Sequence, residues 1–210
     1  MKWISLGQGC LAAFYLRKFG LQRDETHFFD WIVASQKTVN EVLEMKDIQT
    51  ALENDIEFED ELFEGHKAFK CKRFDLLRSV HDLPPDGYRP ELFEKFFVSK
   101  YMRRYERLIQ SLRNDDDIIF VMTIRNYNHE HYQETKRFIR ALDAHNPTLR
   151  YRLVIFVEET CTVYPDHILI IPIKQYECAV KPDVIHWYLN QYDWVRMFQT
   201  VIQQISQLKQ

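Results

Sequence analysis

A strand, a helix and a second strand follow one another between residues 117 and 157, and this order constrains the fold more than any other feature of the chain. Residues 117–124 and 152–157 are apolar runs with the length of buried strands, and residues 128–144 carry apolar side chains at helical spacing. Two strands joined through one helix are parallel, with a right-handed crossover. We therefore predict an α/β fold in which helices flank a mainly parallel sheet.

The rest of the chain adds elements that would complete this sheet and cover it. Further strands are predicted over 2–6 and 167–173, and further helices over 11–19, 38–45, 90–113 and 183–208. The 210 residues include 15 Phe, 11 Tyr and 4 Trp, which is enough aromatic volume for one sizeable core. We therefore predict one layered domain over residues 1–210.

Two charged segments are predicted to face solvent. Residues 53–64 carry acids and no base, and the bases of residues 66–73 follow them, which is typical of a solvated excursion between elements. The predicted helix over 90–113 carries four basic residues on one side, and we interpret these as an ordinary solvated face: Lys100, Arg103, Arg104 and Arg107.

The overall charge and the cysteines exclude several classes of protein. Lys and Arg number 28 against 31 Asp and Glu, and this balance lacks the basic surplus of a nucleic-acid binder. No apolar run approaches the roughly 18 residues that a membrane span needs. The four cysteines show no paired spacing, so we expect no zinc site, no disulfide framework, no other metal and no cofactor. The expected location is a reducing cytoplasm, with no membrane and no nucleic-acid partner.

Cys10 is the leading candidate nucleophile because it stands where a glycine turn meets a predicted helix. The chain has only 5 glycines, and two of them, Gly7 and Gly9, bracket this turn, where they permit close approach by a substrate. Unpaired backbone N–H groups and the helix dipole both favour a thiolate there. The same amides and the side chain of Gln8 are candidate oxyanion donors. The alternative is that Cys10 is a small buried packing residue.

A cysteine nucleophile needs a histidine base, which is usually distant in sequence. Among eight histidines, His81 precedes a double-proline turn, His27 flanks an aromatic run, and His186 lies near the C-terminus; the sequence leaves the choice open. Asp30 lies within that aromatic run, where an unpaired carboxylate would be costly. It is either a catalytic acid or a structural acid bound to a backbone amide or to Arg125.

Two further hypotheses compete with a thiol enzyme. The run from Gly7 to Ala12 matches the Gly-x-Gly-x-x-Gly/Ala fingerprint, which suggests a non-catalytic domain that binds a phosphate or nucleotide. That fingerprint also requires a second strand that ends in an acid about 20 residues later, whereas the segment 22–26 is polar. The third hypothesis is an esterase that uses Asp183 and His186. Such an enzyme needs a serine after the first strand, whereas Ser5 of this chain lies within that strand.

Three short motifs resemble one protein family: Gly7-Gln8-Gly9-Cys10, Phe29-Asp30-Trp31-Ile32 and His81-Asp82. They are similar to motifs of bacterial and viral proteins described as papain-like cysteine peptidases, and the resemblance covers most of residues 3–83. It implies that Cys10 is the nucleophile, that His81 is the base, and that Asp82 or Asp30 orients the imidazole. The leading hypothesis is therefore a thiol hydrolase or transferase of this type, acting on an amide, an ester or a thioester.

Overall fold

The computed structural model describes residues 1–7, 9–22, 25–63, 66–79, 81–82, 90–114, 117–163, 168–172 and 191–207. Its helices are α1 (Leu11–Lys18), α2 (Gln36–Glu44), α3 (Ile48–Asp55), α4 (Pro90–Arg113), α5 (His129–His145) and α6 (Gln191–Gln207). Its strands are β1 (Lys2–Ser5), β2 (Val33–Ala34), β3 (Ile56–Phe63), β4 (His66–Cys71), β5 (Leu77–Ser79), β6 (Ile118–Tyr127), β7 (Tyr151–Cys161) and β8 (Leu169–Pro172).

A four-stranded parallel sheet with the order β1-β6-β7-β8 forms the centre of the molecule and confirms the predicted α/β class. The strands are apolar because both faces of the sheet are covered, as burial of all residues from Ile118 to Ile124 shows. Trp3 and Phe156 pack on one face against Phe198 of α6, whereas Phe120 packs on the other face against Phe138 of α5.

A second sheet, which the sequence patterns did not predict, is antiparallel and has the order β2-β5-β4-β3. The prediction that residues 53–64 form a solvated excursion is wrong. Most of this acidic segment forms β3, which pairs with β4. Glu57 lies opposite Lys70 in the register, and its carboxylate binds Lys70 at 2.6 Å and Lys72 at 2.8 Å. Lys70 and Lys72, which follow the acids in sequence, therefore neutralise Glu57 across the hairpin.

The two sheets meet beside the turn that follows β1. A Cβ atom added to Gly7 would lie 3.2 Å from the Cβ of Ala34 in β2, so the backbones approach more closely than a side chain at position 7 permits. Phe28 and Phe29, between α1 and β2, are fully buried in the core that the two sheets share. The antiparallel sheet is thus fixed directly against the start of α1.

None of the described helices has the length and apolar character needed to cross a lipid bilayer.

Candidate active site

Cys10 occupies the N-cap position of α1, at the carboxyl end of β1 in the parallel sheet. Its carbonyl accepts the hydrogen bond of the Phe14 amide at 2.9 Å, which starts the helix, while its side chain makes no capping bond. The thiol therefore lies at the end of the helix where backbone N–H groups lack helical partners. The residue is only 6% exposed, so little water competes for the sulfur.

Two glycines give the turn before Cys10 a backbone that other residues rarely adopt. Gly7 has a φ of +82° and Gly9 a φ of +128°, and L-amino acids are strained at such angles. Apart from its chain neighbours, no atom of the described residues lies within 4 Å of a Cβ placed on Gly9, in contrast to the crowding at Gly7. The sequence therefore needs glycine at position 7 for conformation and close packing, and at position 9 for conformation alone.

The imidazole of His81 faces the thiol of Cys10, with 2.8 Å between Sγ and Nε2. His81 lies two residues after β5 of the antiparallel sheet, and 71 positions separate the two residues in sequence. Cys10 is buried and His81 is exposed, so an incoming molecule meets the pair from the side of the histidine. Of the two candidate bases within the described residues, His81 and His27, His81 is the one that contacts Cys10, whereas His186 lies outside the described ranges.

Asp82, the residue after this histidine, has its carboxylate directed to β5 and α4. It accepts hydrogen bonds from the Ser79 hydroxyl at 3.1 Å, from the Tyr101 hydroxyl at 2.5 Å and from the Lys100 ammonium group. Burial opposes ionisation of Asp82, but the bonds from Lys100 and Tyr101 outweigh it and hold the pKa of the carboxyl below its ordinary value. The carboxylate thus fixes the backbone next to His81, and these contacts do not place it on the imidazole.

The basic side of α4 is only partly the solvated face that the sequence suggested: Arg103 is exposed, Lys100 and Arg107 are half-buried, and Arg104 is buried. Arg104 is 7% exposed, stacks 4.8 Å from the centre of the Tyr101 ring and lies 3.8 Å from Asp82. It also donates to the backbone carbonyl of Asp30 at 3.3 Å. Arg104 and Lys100 therefore connect α4 to the segments on both sides of the site.

Asp30 is fully buried in a polar cluster between α1 and β2. Its carboxylate accepts hydrogen bonds from the His27 amide at 2.8 Å and from the Gln22 side chain at 2.5 Å. Burial raises the pKa of Asp30 to about 6, although both hydrogen bonds oppose this change. Burial, together with the charges of Lys2 and Arg107, lowers the pKa of His27 to about 4. The Asp30 carboxylate thus accepts from the backbone amide of His27. This contact corresponds to the alternative in which Asp30 is a structural acid bound to a backbone amide.

Trp31 joins this cluster to the catalytic candidates. Its indole meets the His81 imidazole edge to face, with 5.4 Å between ring centres, and the guanidinium of Arg17 lies 5.7 Å from the indole. The backbone of Trp31 has a φ of +66°, which is unusual for a bulky residue. No role for Trp31 was predicted, because neither its backbone angle nor its contact with His81 leaves a signal in the composition or spacing of the sequence.

Several predicted residues lie outside the part of the chain that the structure describes. These are Gln8, the candidate oxyanion donor, and Asp183 and His186, the residues of the esterase hypothesis. The structural context required by the dinucleotide fingerprint is absent from the described strands, because β2, the strand after α1, pairs with β5 and not with β1. No group of three or more metal-ligating side chains occurs within the described ranges.

Comparison with known proteins places the chain in a family. The model of the family described as "Putative papain-like cysteine peptidase (DUF1796)" matches residues 1–160. The chain belongs to this family. The matched range contains Cys10, Asp30, His81 and Asp82, and membership of a papain-like cysteine peptidase family supports a thiol hydrolase in the broad sense. No curated protein matches the chain, and no solved structure matches it.

Proposed function

We propose that the chain is a thiol hydrolase or acyl transferase that attacks an amide, ester or thioester through Cys10. The observation that carries this proposal is the 2.8 Å contact between Cys10 Sγ and His81 Nε2, which is the geometry of a nucleophile and its base. The helix start adds a second favourable factor, since the positive end of the dipole stabilises a thiolate. Both factors act on one sulfur atom that is largely shielded from water.

The reaction begins when the thiolate of Cys10 attacks the substrate carbonyl carbon and forms a C–S bond. The negative charge moves to the carbonyl oxygen, and backbone N–H groups at the start of α1, with Gly9 and Gln8 as further candidates, stabilise it. The imidazolium of His81 then gives its proton to the leaving amine, alcohol or thiol as the original carbon–heteroatom bond breaks. Water, or an acceptor nucleophile in a transferase, attacks the resulting thioester and returns the proton to His81, and Cys10 leaves as thiolate.

The other described cysteines provide an internal comparison. Burial raises the pKa of the Cys71 thiol to about 11, so this residue stays protonated and unreactive at neutral pH. Cys161 is partly buried, and its thiol donates to the Val163 carbonyl at 3.2 Å. Neither residue has the histidine contact that Cys10 has in the described structure, and we therefore expect Cys10 to react before them.

Acyl transfer from 4-nitrophenyl acetate tests the proposal. The expected result is release of nitrophenolate with the acetyl group on Cys10, located by peptide mass spectrometry, and loss of this product in Cys10→Ala. His81→Ala should slow acylation roughly 100-fold or more, the usual contribution of a general base. The matched control is His129→Ala, which removes an exposed histidine from α5. Acetyl groups found on Cys71 or Cys161 in place of Cys10 would contradict the proposal.

A further inference from the structure

Two cations lie exposed on the helix that starts with the candidate nucleophile. Arg17 and Lys18 are in the last turn of α1, and within the described ranges no carboxylate lies at ion-pair distance from either of them. Both side chains are exposed, so positive charge on the helix that begins at Cys10 is accessible to molecules that approach the site.

Arg17 lies on the same side of α1 as Cys10. Seven residues are almost two full turns of an α-helix, so the two positions differ by about 20° around the axis and about 10 Å along it. Helical side chains lean toward the N-terminus, and an arginine side chain therefore covers much of this axial distance toward the thiol. Lys18 is turned about 100° further round the helix, and its ammonium group lies over other rings, those of Phe14 and Tyr15.

The guanidinium of Arg17 is held in place by two contacts. It stacks 5.7 Å from the centre of the Trp31 indole, and it donates a hydrogen bond to the Thr26 hydroxyl. The indole in turn meets the His81 imidazole at 5.4 Å, so one aromatic ring separates the guanidinium from the base. Trp31 takes up its left-handed backbone conformation at this place, and such conformations persist where the surrounding structure fixes them, often at functional sites.

We propose that Arg17, supported by Trp31, binds a carboxylate of the substrate, so that this site acts on acyl substrates with an acidic group close to the scissile carbonyl. This inference rests on the proposed function of Cys10 and His81. A guanidinium presents several N–H donors in a fixed plane, and two of them match the two oxygens of a carboxylate. The indole limits the positions that the guanidinium adopts and so reduces the entropy lost when the anion binds.

Matched alkylating agents test this assignment through the rate at which Cys10 displaces iodide. The first pair is N-iodoacetyl-β-alanine and its primary amide, which differ only in a terminal carboxylate. The second pair is N-iodoacetyl-glutamic acid α-amide and its glutamine analogue, which differ only in a side-chain carboxylate. The rate at which each reagent alkylates Cys10 is divided by the rate at which the same reagent alkylates N-acetylcysteine amide, a neutral thiol. The acid-to-amide ratio is this normalised rate for the acid divided by that for the matching amide.

The wild-type protein should prefer the acid in at least one pair, and Arg17→Gln should lower that ratio about fivefold to tenfold. The matched control, Lys18→Gln, removes the same charge from the neighbouring position and should change the ratio less than twofold. The pair with the larger effect shows whether a chain-terminal or a side-chain carboxylate is bound.

Equal ratios in wild type and Arg17→Gln would overturn the inference while leaving the proposed function intact, provided that both amides still label Cys10. An equal fall in Lys18→Gln would also overturn it, because the effect would then come from the general charge of the helix. If no reagent of either pair alkylates Cys10, the proposed function fails and the inference fails with it.

Discussion

The hydroxyl of Tyr101 donates to the carboxylate of Asp82 across 2.5 Å, in a partly buried contact between α4 and the segment after β5. Tyr101 is completely buried in α4, and Asp82 directly follows the histidine that faces Cys10. A residue of α4 therefore holds the carboxylate next to His81. We propose that Asp82 positions His81 in this arrangement, with Lys100 and Ser79 as its other partners.

We predict that Tyr101→Phe weakens both the fold and the reactivity of Cys10. The substitution keeps the ring and removes one hydrogen bond to a charged group, a change worth about 1.5 to 3 kcal/mol in the free energy of unfolding. Because His81 is then less firmly held, alkylation of Cys10 by iodoacetamide should slow several-fold. Urea denaturation and the rate of labelling measure the two effects.

A hydroxyl on the same helix provides the control for this prediction. Tyr105→Phe removes a hydroxyl that donates to the Met45 carbonyl at 3.4 Å, away from Asp82. It should leave the alkylation rate of Cys10 unchanged. Equal rates in Tyr101→Phe and wild type would show that the bond to Asp82 does not position His81.

The left-handed backbone of Trp31 predicts that glycine at position 31 leaves the protein more stable than alanine does. At an ordinary position glycine is less favourable than alanine, whereas at a φ of +66° alanine bears a steric cost of about 1 to 2 kcal/mol that glycine avoids. Trp31→Gly and Trp31→Ala both delete the indole, so their difference isolates the backbone. We expect Trp31→Gly to be the more stable of the two by about 0.5 to 1 kcal/mol in thermal or urea unfolding. A more stable Trp31→Ala would contradict the left-handed conformation.

Substitutions of Gly7 and Gly9 should respond differently when Ala34 is also changed. Gly7→Ala and Gly9→Ala both force a side chain into a backbone with positive φ, at a cost of about 1 to 3 kcal/mol each. Only Gly7→Ala also crowds Ala34, at a Cβ separation of 3.2 Å. A double-mutant cycle with Ala34→Gly should therefore show favourable coupling of about 1 kcal/mol with Gly7→Ala. Gly9→Ala and Ala34→Gly should be additive, and coupling of the same size in both cycles would contradict the close approach.

Asp30 and His27 should each make the stability of the fold depend on pH. Their two contributions have opposite signs and should largely cancel in the wild-type protein. Between pH 3.8 and about 6, folded Asp30 holds a proton that the unfolded chain has released, so its contribution to stability falls as the pH rises. Between about pH 4 and 6.5, the unfolded chain protonates His27 while the folded protein does not, so its contribution rises with pH. Each contribution is on the order of 3 kcal/mol over its range.

Single substitutions should separate these two contributions. Relative to wild type, Asp30→Asn should gain stability as the pH increases from 4 to 6.5, because only the His27 contribution remains. His27→Gln should lose stability over the same interval. Urea unfolding at several pH values measures both trends, and variants that follow the wild-type curve would contradict the shifted pKa values of this pair.

Patterns of apolar residues were sufficient to predict the parallel part of the fold. The helix from Pro90 to Arg113 and the crossover through α5 follow directly from spacing. The antiparallel sheet was missed because β2 and β5 have two and three residues, too few for a periodic pattern. In β3 the acidic residues concealed a strand, since the neutralisation of Glu57 by Lys70 and Lys72 depends on pairing with β4.

The candidate site was only partly predictable for a related reason. The glycines and the helix start identify Cys10 locally, whereas the positive φ of Gly7 and Gly9 was not predicted. The choice among three histidines depends on how the second sheet packs against α1, which no local pattern contains. The contacts of Trp31, Arg17 and Tyr101 are likewise products of tertiary packing. The single domain over residues 1–210 stays a prediction, as do the roles predicted for the site residues: Cys10, His81, Asp82, Asp30, Gln8 and Gly9.

The pairing of Cys10 with His81 is tested most directly by the pH dependence of Cys10 alkylation with iodoacetamide, measured by mass spectrometry in wild type and His81→Ala. If the imidazole supports the thiolate, wild-type Cys10 should react at pH 6 within several-fold of its rate at pH 9, whereas in His81→Ala the rate at pH 6 should fall far below the rate at pH 9, as for an ordinary cysteine. Parallel profiles in the two proteins would contradict a catalytic pair.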